Sequence, residues 1–211
     1  MIGPPASGKG TQSLILSKCL SIHHISIGDI FRENFKKKTK LGKIVISYIN
    51  QGLLVPNQIT NSMVSETLTE DKIKKGFILD GYPRNINQAQ FLTEEFKKRN
   101  IQLKKVFYFN VEEKILEQRM MGRIVCTQCG EIYNKEKKHP KINGLCDNDN
   151  SVLIQRKDDN LDTFNQRLSI YKSETFPLVE YYKKMNKIFE IKIKDGLETI
   201  QDITNTILKQ L

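Results

Sequence analysis

A glycine-rich loop at the start of the chain constrains the fold more than any other feature. Residues 3–11 read Gly-Pro-Pro-Ala-Ser-Gly-Lys-Gly-Thr, close to the phosphate-binding pattern of Gly, four residues, Gly-Lys and Ser or Thr. Backbone N–H groups can close on phosphate oxygens there because glycine has no Cβ, and Lys9 adds a positive charge. Such a loop joins a buried strand to a helix. It predicts an α/β domain that binds phosphate, with an ordinary Gly/Pro turn as the alternative.

Two irregularities surround this loop. Gly10 follows Lys9 where the pattern asks for Ser or Thr, and Thr11 comes one residue later. Only Met1 and Ile2 precede the loop, so either the first strand is a stub or the full protein has residues that this chain lacks. Residues 11–20 carry an apolar run followed by Cys19, which predicts a buried helix with Cys19 in its core.

Length and composition limit the class of protein. The chain has 211 residues, of which 38% are hydrophobic, enough for one α/β domain with inserted subdomains. No apolar run approaches the roughly 18 residues of a membrane span, and no signal segment opens the chain. The net charge of +10 favours acidic partners such as nucleotides, nucleic acid or a membrane surface. Much of this charge lies at 36–38 and 135–141, which we interpret as solvated helix faces and loops.

Short apolar runs alternate with helical patterns along the chain. We predict strands at 22–27, 77–80, 105–109 and 188–193. We predict helices near 28–36, 41–51, 57–69, 86–98, 112–121, 161–186 and 198–210. This alternation indicates crossover units and a parallel sheet with helices on both faces.

Residues 123–155 break the alternation and carry three of the four cysteines. Cys146 and Asp149 repeat the spacing of Cys126 and Cys129, and four such ligands suit a tetrahedral zinc ion. Asp149 stands where a fourth cysteine is usual. A disulfide, a redox pair and unligated buried thiols are weaker alternatives in a polar insert without a secretory signal.

Neighbouring residues bear on the same zinc site. Asp147 and His139 are alternative fourth ligands. Gly130 permits a left-handed turn after the second cysteine, and Asn150 tolerates the matching turn after Asp149.

Taken in order, these motifs resemble the adenylate kinase family in its long-lid, zinc-binding form. The resemblance covers the whole chain and rests on residues 3–11, 25–29 with Arg32, 52–56, 79–84 with Gln88, 119–123, 156–159 and Arg167. Gly-Lys-Gly-Thr is the usual loop in that family, which accounts for Gly10.

The resemblance implies an α/β fold with a five-stranded parallel sheet of the P-loop NTPase type. Residues 1–25, 56–121 and 158–211 would form the core, 26–55 a helical AMP-binding insert, and 122–157 a zinc-binding lid. The implied reaction transfers the γ-phosphoryl group of Mg-ATP to AMP and gives two ADP. The implied cofactors are Mg²⁺ with the nucleotide and a structural Zn²⁺.

The resemblance also assigns residues to each part of the reaction. ATP would be bound by Ala6, Ser7, Gly8, Lys9, Gly10, Thr11, Arg119, Arg123, Ile132, Tyr133 and Glu198, with the turn from Asp195 to Glu198 near the base. AMP would be bound by Ile27, Arg32, Leu53, Leu54, Val55, Gly81, Tyr82, Pro83, Arg84, Gln88, Arg156 and Arg167. The implied catalytic residues are Lys9, Arg84, Arg123, Arg156, Arg167, Asp158 and Asp159.

Several of these residues carry a physical argument of their own. Asp80 ends an apolar strand, where an acid can hold Mg²⁺ through water, although a turn aspartate before Gly81 is the alternative. Arg119 and Arg123 are four residues apart and are expected to share a helix face. Asp158 and Asp159 are expected to orient arginines, with first-turn helix residues as the alternative.

The acceptor and donor bases are less clearly specified. Gln88 favours AMP, because an amide can pair with both a donor and an acceptor on the adenine edge. Ile27 replaces a usual Thr or Ser near that base, which puts AMP affinity or selectivity in question. Ala6 replaces a frequent Gly, which is tolerable if its φ is negative. ATP is the family default as donor, but relatives that use GTP share nearly every motif.

Two competing functions require motifs that this sequence lacks. A GTPase switch needs an Asn-Lys-x-Asp motif, and 186–189 lack the Asp. A zinc-knuckle protein that binds nucleic acid needs interleaved aromatics, and the insert offers only Tyr133. An inactive relative remains an alternative because of the short first strand. We expect a monomer that binds no nucleic acid or membrane, in the cytoplasm, or in mitochondria if an N-terminal segment precedes Met1.

Overall fold

The computed structural model describes residues 1–194 and 198–211. Its strands are β1 (His23–Ser26), β2 (Phe77–Asp80), β3 (Val106–Val111), β4 (Arg123–Cys126), β5 (Ile132–Asn134), β6 (Leu153–Ile154) and β7 (Ile188–Ile193). Its helices are α1 (Lys9–Leu20), α2 (Ile27–Lys36), α3 (Lys40–Asn50), α4 (Asn57–Thr67), α5 (Glu70–Ile73), α6 (Ile86–Lys98), α7 (Glu113–Met121), α8 (Leu161–Ile170), α9 (Pro177–Lys184) and α10 (Ile200–Leu208).

Four of these strands form the central sheet, and all of its pairings are parallel. Strand β1 pairs with β2, and β3 pairs with β7. Ile2 joins the two pairs, because its N–H donates to Phe107 O at 2.8 Å and its carbonyl accepts from Phe109 N at 2.8 Å. The Met1 ammonium donates to Leu79 O at 2.9 Å on the other side. The predicted parallel α/β fold is confirmed, with the first strand reduced to Ile2.

Helices cover both faces of this sheet, as the alternation predicts. Side chains of a strand alternate between its faces, and β3 is apolar on both. Phe107 and Phe109 pack with residues of α1, α7, α8 and α10. Val106 and Tyr108 pack with residues of α6 and α9. The sheet is therefore a buried middle layer, and a site can open only at the ends of its strands.

Five of the ten α-helices in the described residues begin where a polar side chain caps their first turn. Four caps accept a backbone N–H two or three residues into the helix: Ser26 from Asp29, Thr39 from Gly42, Asn85 from Gln88, and Asn160 from Thr163. Thr199 and Asp202 form a reciprocal capping box at α10. These caps fix the starts of the elements around the site.

The insert forms a separate three-stranded antiparallel sheet, in the order β5-β4-β6, which we call the lid sheet. Its buried cluster consists of Cys126, Tyr133, Cys146 and Leu153. Gly130 and Asn150 have φ of 73° and 56°, so the predicted left-handed turns after the second cysteine and after Asp149 are confirmed. The boundaries proposed between core, AMP-binding insert and lid remain a prediction.

Three predictions about elements were wrong in part. The helix at 161–186 is interrupted by a π-helical turn at Tyr171–Thr175, and Pro177, which has no backbone N–H, starts α9. The strand at 22–27 is shorter at both ends. Cys19 is exposed, because α1 is buried through its first two turns, at Gln12, Ser13 and Leu16, and its last turn faces solvent.

In the part of the chain that the structure describes, no helix combines the length and the apolar character needed to cross a membrane.

Candidate active site

A cavity of about 760 Å³ opens at the carboxyl ends of β1 and β2, under the lid sheet. Its walls include the loop at 3–11, the start of α2, the segment 52–55 and residues of the lid sheet. This edge of a parallel sheet is where ligands of α/β proteins bind. Every residue predicted to bind ATP or AMP lines the cavity except Tyr82. Tyr82 is buried elsewhere and donates its hydroxyl to Asn61 Oδ1 at 2.7 Å.

The phosphate-binding loop has the backbone that the pattern requires. Gly8 has a φ of 92° and caps α1, which starts at Lys9. A Cβ on Gly3 would lie 2.9 Å from Phe109 Cβ, so a larger residue there would displace β3. The loop is thus held against the sheet with its N–H groups at the positive end of a helix.

Ala6 does not meet the condition under which we expected the loop to tolerate it. Its φ is 58°, not negative, so it takes a left-handed conformation that costs a residue with a Cβ about 1–3 kcal/mol. The loop keeps this conformation although Ala6 stands where glycine is frequent.

Lys9 lies in the cavity wall and donates its ammonium to Pro4 O at 2.8 Å. Burial lowers the pKa of Lys9 to about 8, although the neighbouring Asp80 acts in the opposite direction. A buried ammonium with this pKa is stabilised by any anion that enters beside it.

Asp80 ends β2 and faces the same cavity. Burial by itself raises the pKa of Asp80, but His24 and Lys9 more than compensate, so the net pKa is below its ordinary value. The carboxylate is therefore ionised at neutral pH and can hold a hydrated cation.

His24 is a site residue that the sequence analysis missed. Its Nε2 lies 3.4 Å from Asp80 Oδ2, and the side chain is 11% exposed. The register of β1 and β2 explains why His24 reaches Asp80. Ser26 pairs with Asp80, and His24 lies two residues before Ser26, so all three side chains are on the same face of the sheet. That register cannot be read until β1 and β2 are known to be neighbours.

Six arginines line the cavity: Arg32, Arg84, Arg119, Arg123, Arg156 and Arg167. Burial lowers the pKa of Arg84 to about 10, and the nearby Arg167 adds to this effect. Burial likewise lowers the pKa of Arg156 to about 9, with Arg123 next in importance. Arg156 Nε is buried and has no hydrogen-bond partner among the described residues. So many poorly hydrated cations in one cavity favour a ligand with several negative charges.

Two aspartates hold two of these arginines. Arg123 forms a fork with Asp159, with Nε 2.7 Å from Oδ2 and Nη2 bonded to Oδ1. Arg167 pairs with Asp158 through Nη2, which also donates to Ile49 O at 3.3 Å. Burial by itself raises the pKa of Asp158, but Arg167 lowers it below its ordinary value. Both aspartates precede the cap of α8, so the first-turn alternative is wrong.

Arg119 and Arg123 do not share a helix face, contrary to prediction. Helix α7 ends at Met121, and Arg123 is the first residue of β4. A Cβ on Gly122 would meet the Asn134 side chain at 2.9 Å, so Gly122 allows the close turn between the two. Both arginines still line the cavity, and Arg119 donates to Ser7 O at 3.4 Å.

The residues predicted to bind the two nucleotides contribute different side chains to the cavity wall. The set predicted to bind AMP includes Ile27, Leu53, Leu54, Val55, Gly81, Pro83 and Gln88. The set predicted to bind the donor includes Ile132, Tyr133 and Glu198. The rest of the turn predicted near the donor base, Asp195 to Leu197, lies outside the described residues. Gln12, which was not predicted, connects α1 to α10 by donating to Ile200 O and accepting from Thr204 Oγ1, both at 2.8 Å.

In the lid, the ligand atoms of Cys126, Cys129, Cys146 and Asp149 lie within 4.8 Å of one another. Cys129 Sγ and Cys146 Sγ are 3.5 Å apart, and Cys126 Sγ lies 3.4 Å from Asp149 Oδ1. The backbone N–H groups of Gln128 and Cys129 point at Cys126 Sγ, each at 3.4 Å. An N–H from Ser151 lowers the pKa of Asp149 to about 2, so the carboxylate is ionised. This group can hold a tetrahedral metal ion.

The alternative fourth ligands lie outside this group of described residues. Asp147 Oδ1 instead accepts from Lys141 N at 2.8 Å, and His139 does not join the cluster. The geometry therefore favours Asp149 among the three predicted alternatives.

Comparison with known proteins shows the family of this chain. The family model described as "Adenylate kinase" matches residues 1–187. A protein named adenylate kinase from Aster yellows witches'-broom phytoplasma (strain AYWB) is 50% identical over 211 residues, which is 100% of this chain and 96% of the relative. Another of that name, from Fervidobacterium nodosum, is 45% identical over 207 residues, covering 98% of this chain and 95% of the relative. This chain therefore belongs to the adenylate kinase family, whose members are phosphotransferases that act on AMP.

Proposed function

We propose that the chain transfers the γ-phosphoryl group of Mg-ATP to AMP and gives two ADP, with the donor on the lid side of the cavity and AMP between α2 and α6. The observation that carries this proposal is the ring of Lys9 and six arginines around one cavity. Carboxylates already pair with Arg32, Arg123 and Arg167. Two nucleotides whose phosphates meet there would bring negative charge for the remaining cations.

The reaction needs no general base. The acceptor is a phosphate whose oxygens are ionised at neutral pH, and its obstacle is repulsion from the donor phosphates. Lys9, Arg84, Arg123, Arg156 and Arg167 would neutralise that repulsion, while Asp158 and Asp159 hold Arg167 and Arg123 in position. In proteins that transfer phosphoryl groups, such an arginine contributes about 10³–10⁵ in rate.

Asp80 would hold Mg²⁺ through water, in the manner of the acid that ends a strand in P-loop proteins. When bound, Mg²⁺ would supply positive charge that neutralises the donor phosphates. A Cβ on Gly10 would lie 3.2 Å from Asp80 Oδ2, so the glycine leaves room beside this carboxylate.

We assign the lid group to zinc. Zn–S bonds of about 2.3 Å place two sulfurs of a tetrahedron about 3.8 Å apart, near the observed 3.5 Å for Cys129 and Cys146. The lid lines the cavity with Ile132 and Tyr133 and would keep water from the donor. Metal analysis should find about one zinc per chain, and none in carefully prepared protein would remove this assignment.

We also propose that the chain is a monomer and that it acts in the cytoplasm. One chain supplies the whole described wall of the cavity, so the reaction needs no second copy. A reducing compartment keeps the three lid cysteines available as metal ligands.

Coupled turnover assays test the function, with ATP or GTP as donor and AMP, CMP or UMP as acceptor. We expect the highest kcat/KM for ATP with AMP. A higher value for GTP would move the donor assignment to GTP, and a preference for CMP or UMP would overturn the acceptor assignment. No turnover with any pair would contradict the enzyme itself.

A further inference from the structure

The side-chain amide of Gln88 stands at the acceptor end of the cavity in a fixed orientation. Gln88 is 2% exposed and lines the cavity. Its Oε1 accepts from the backbone N–H of Arg84 at 2.8 Å, and its Nε2 donates to Asn57 Oδ1 at 2.9 Å. One N–H and one lone pair of the amide are left for a ligand.

The side-chain amides of Gln88, Asn57 and Asn85 form one hydrogen-bonded network. Two backbone N–H groups, one of Arg84 and one of Gln88, fix the orientation of all three amides. Arg84 N is a donor only, so it requires the oxygen of Gln88. Gln88 N donates to Asn85 Oδ1 at 3.0 Å, which leaves Asn85 Nδ2 to donate to Asn57 Oδ1 at 3.1 Å. Asn57 Oδ1 therefore accepts from two amide nitrogens, and no member of the network can flip alone without opposing two donors or two acceptors.

Asn57 acts from behind the cavity wall. It is the first residue of α4, and among the described residues that line the cavity Gln88 is present and Asn57 is not. Its effect on a bound base would pass through Gln88. Asn57 and Gln88 are 31 positions apart in the chain, and for this reason their contact could not be predicted from the sequence.

We propose that Asn57 is a positioning residue that makes the acceptor site selective for 6-aminopurines over 6-oxopurines. The proposal rests on the proposed role of Gln88 in reading the AMP base. Adenine presents an acceptor at N1 and a donor at N6, whereas hypoxanthine presents a donor at N1 and an acceptor at O6. A freely rotating amide matches either edge by turning through half a circle, whereas an amide held at Oε1 by Arg84 N and at Nε2 by Asn57 Oδ1 matches only one. Without the Asn57 contact, a single backbone N–H opposes this half-turn instead of two contacts.

The test compares AMP with IMP as acceptor in the full chain. Asn57→Ala removes the acceptor that holds Gln88 Nε2, and we expect the ratio of kcat/KM for AMP to that for IMP to fall about tenfold, while kcat at saturating AMP stays within about twofold. A bidentate base contact is commonly worth a discrimination of this order. Asn57→Asp keeps an oxygen for both donors and should restore the ratio. Gln58→Ala, at an exposed neighbour on α4, is the matched control.

Each outcome decides between specific alternatives. An unchanged ratio in Asn57→Ala, with a ratio that collapses in Gln88→Ala, overturns the proposal and leaves the base-reading role of Gln88 intact. An unchanged ratio in both variants removes that role and the proposal with it. An equal loss of kcat/KM for AMP and IMP indicates a merely structural role for Asn57 and also overturns the proposal. If Asn57→Ala does not fold, Asn57→Leu keeps the volume without the acceptor and carries the same expectation.

Discussion

The lid sheet and the central sheet are stabilised by different interactions. One side of the central sheet packs against a buried apolar cluster of twelve residues, with Phe109 and Ile207 fully buried. The lid sheet has a buried cluster of four, and two of these are cysteines. Apolar burial offsets the loss of chain entropy in the first region and is too small to do so in the second. We therefore expect the lid to depend on the metal ion that we assign to its cysteines.

The functional consequence that we expect is that the region with the smaller buried cluster carries part of the candidate active site. Arg123 opens β4, and Arg156 follows β6, so both stand where the lid sheet joins the rest of the chain. The fork between Arg123 and Asp159 fastens one border of the lid to the residues before α8. Folding of the lid and assembly of the arginines are thus expected to be coupled.

Metal removal should produce the largest difference between the lid sheet and the central sheet. We expect the chain, stripped of zinc by a strong chelator and assayed with saturating Mg²⁺, to lose at least about 10³-fold in kcat, because misplaced arginines no longer neutralise the phosphates. Far-ultraviolet circular dichroism should retain most of the helical signal, since α1 and α6 to α10 lie outside the lid. Added zinc should restore activity. Full activity without metal would contradict the coupling.

Breaking the ion pair between Arg123 and Asp159 should lower kcat less than metal removal does. Asp159→Asn replaces one of two charged acceptors by an amide N–H that faces the guanidinium of Arg123, and the Asp159 side chain is fully buried. We expect kcat to fall about 10- to 100-fold with zinc still bound, measured by steady-state assay and metal analysis. Asp162→Asn, at an exposed first-turn position of α8, is the matched control and should keep wild-type activity. Equal losses in the two variants would show that the fork is not the cause.

Removing a methyl group from the core of the central sheet should have the smallest effect of the three changes. It should not alter metal binding. Ile207→Val removes one buried methyl group and should lower the free energy of unfolding by about 1 kcal/mol. Zinc affinity, measured by competition with a chelating dye, should not change. Ile142→Val, at a lid residue that is 60% exposed, should alter neither quantity. A change of zinc affinity in Ile207→Val would mean that the two regions are not independent.

Local sequence patterns predicted the parts of the site whose geometry is set by nearby residues. The loop around Lys9 and the turns after Cys129 and Asp149 are determined by glycine, asparagine and fixed spacing, and they were predicted together with Asp80. The apolar runs and helical patterns likewise predicted most elements, with strand 188–193 and helix 86–98 matched at both ends.

Features that depend on packing between distant segments could not be predicted in this way. The role of His24 depends on which strand lies beside β2, and that of Asn57 on the approach of α4 to α6. The positive φ of Ala6 follows from the closed shape of the loop, which overrides the preference of alanine. Arg123 does not lie on the helix of Arg119, because α7 ends before Gly122 and the lid begins there.

Hydrogen–deuterium exchange of the chain with zinc and after chelation tests the central claim most directly, because amide protection reports local unfolding region by region. The account predicts that amides of β4, β5 and β6 lose their protection on chelation while those of β3 and β7 keep theirs. Unchanged protection in the lid sheet, or an equal loss in both sheets, would contradict it.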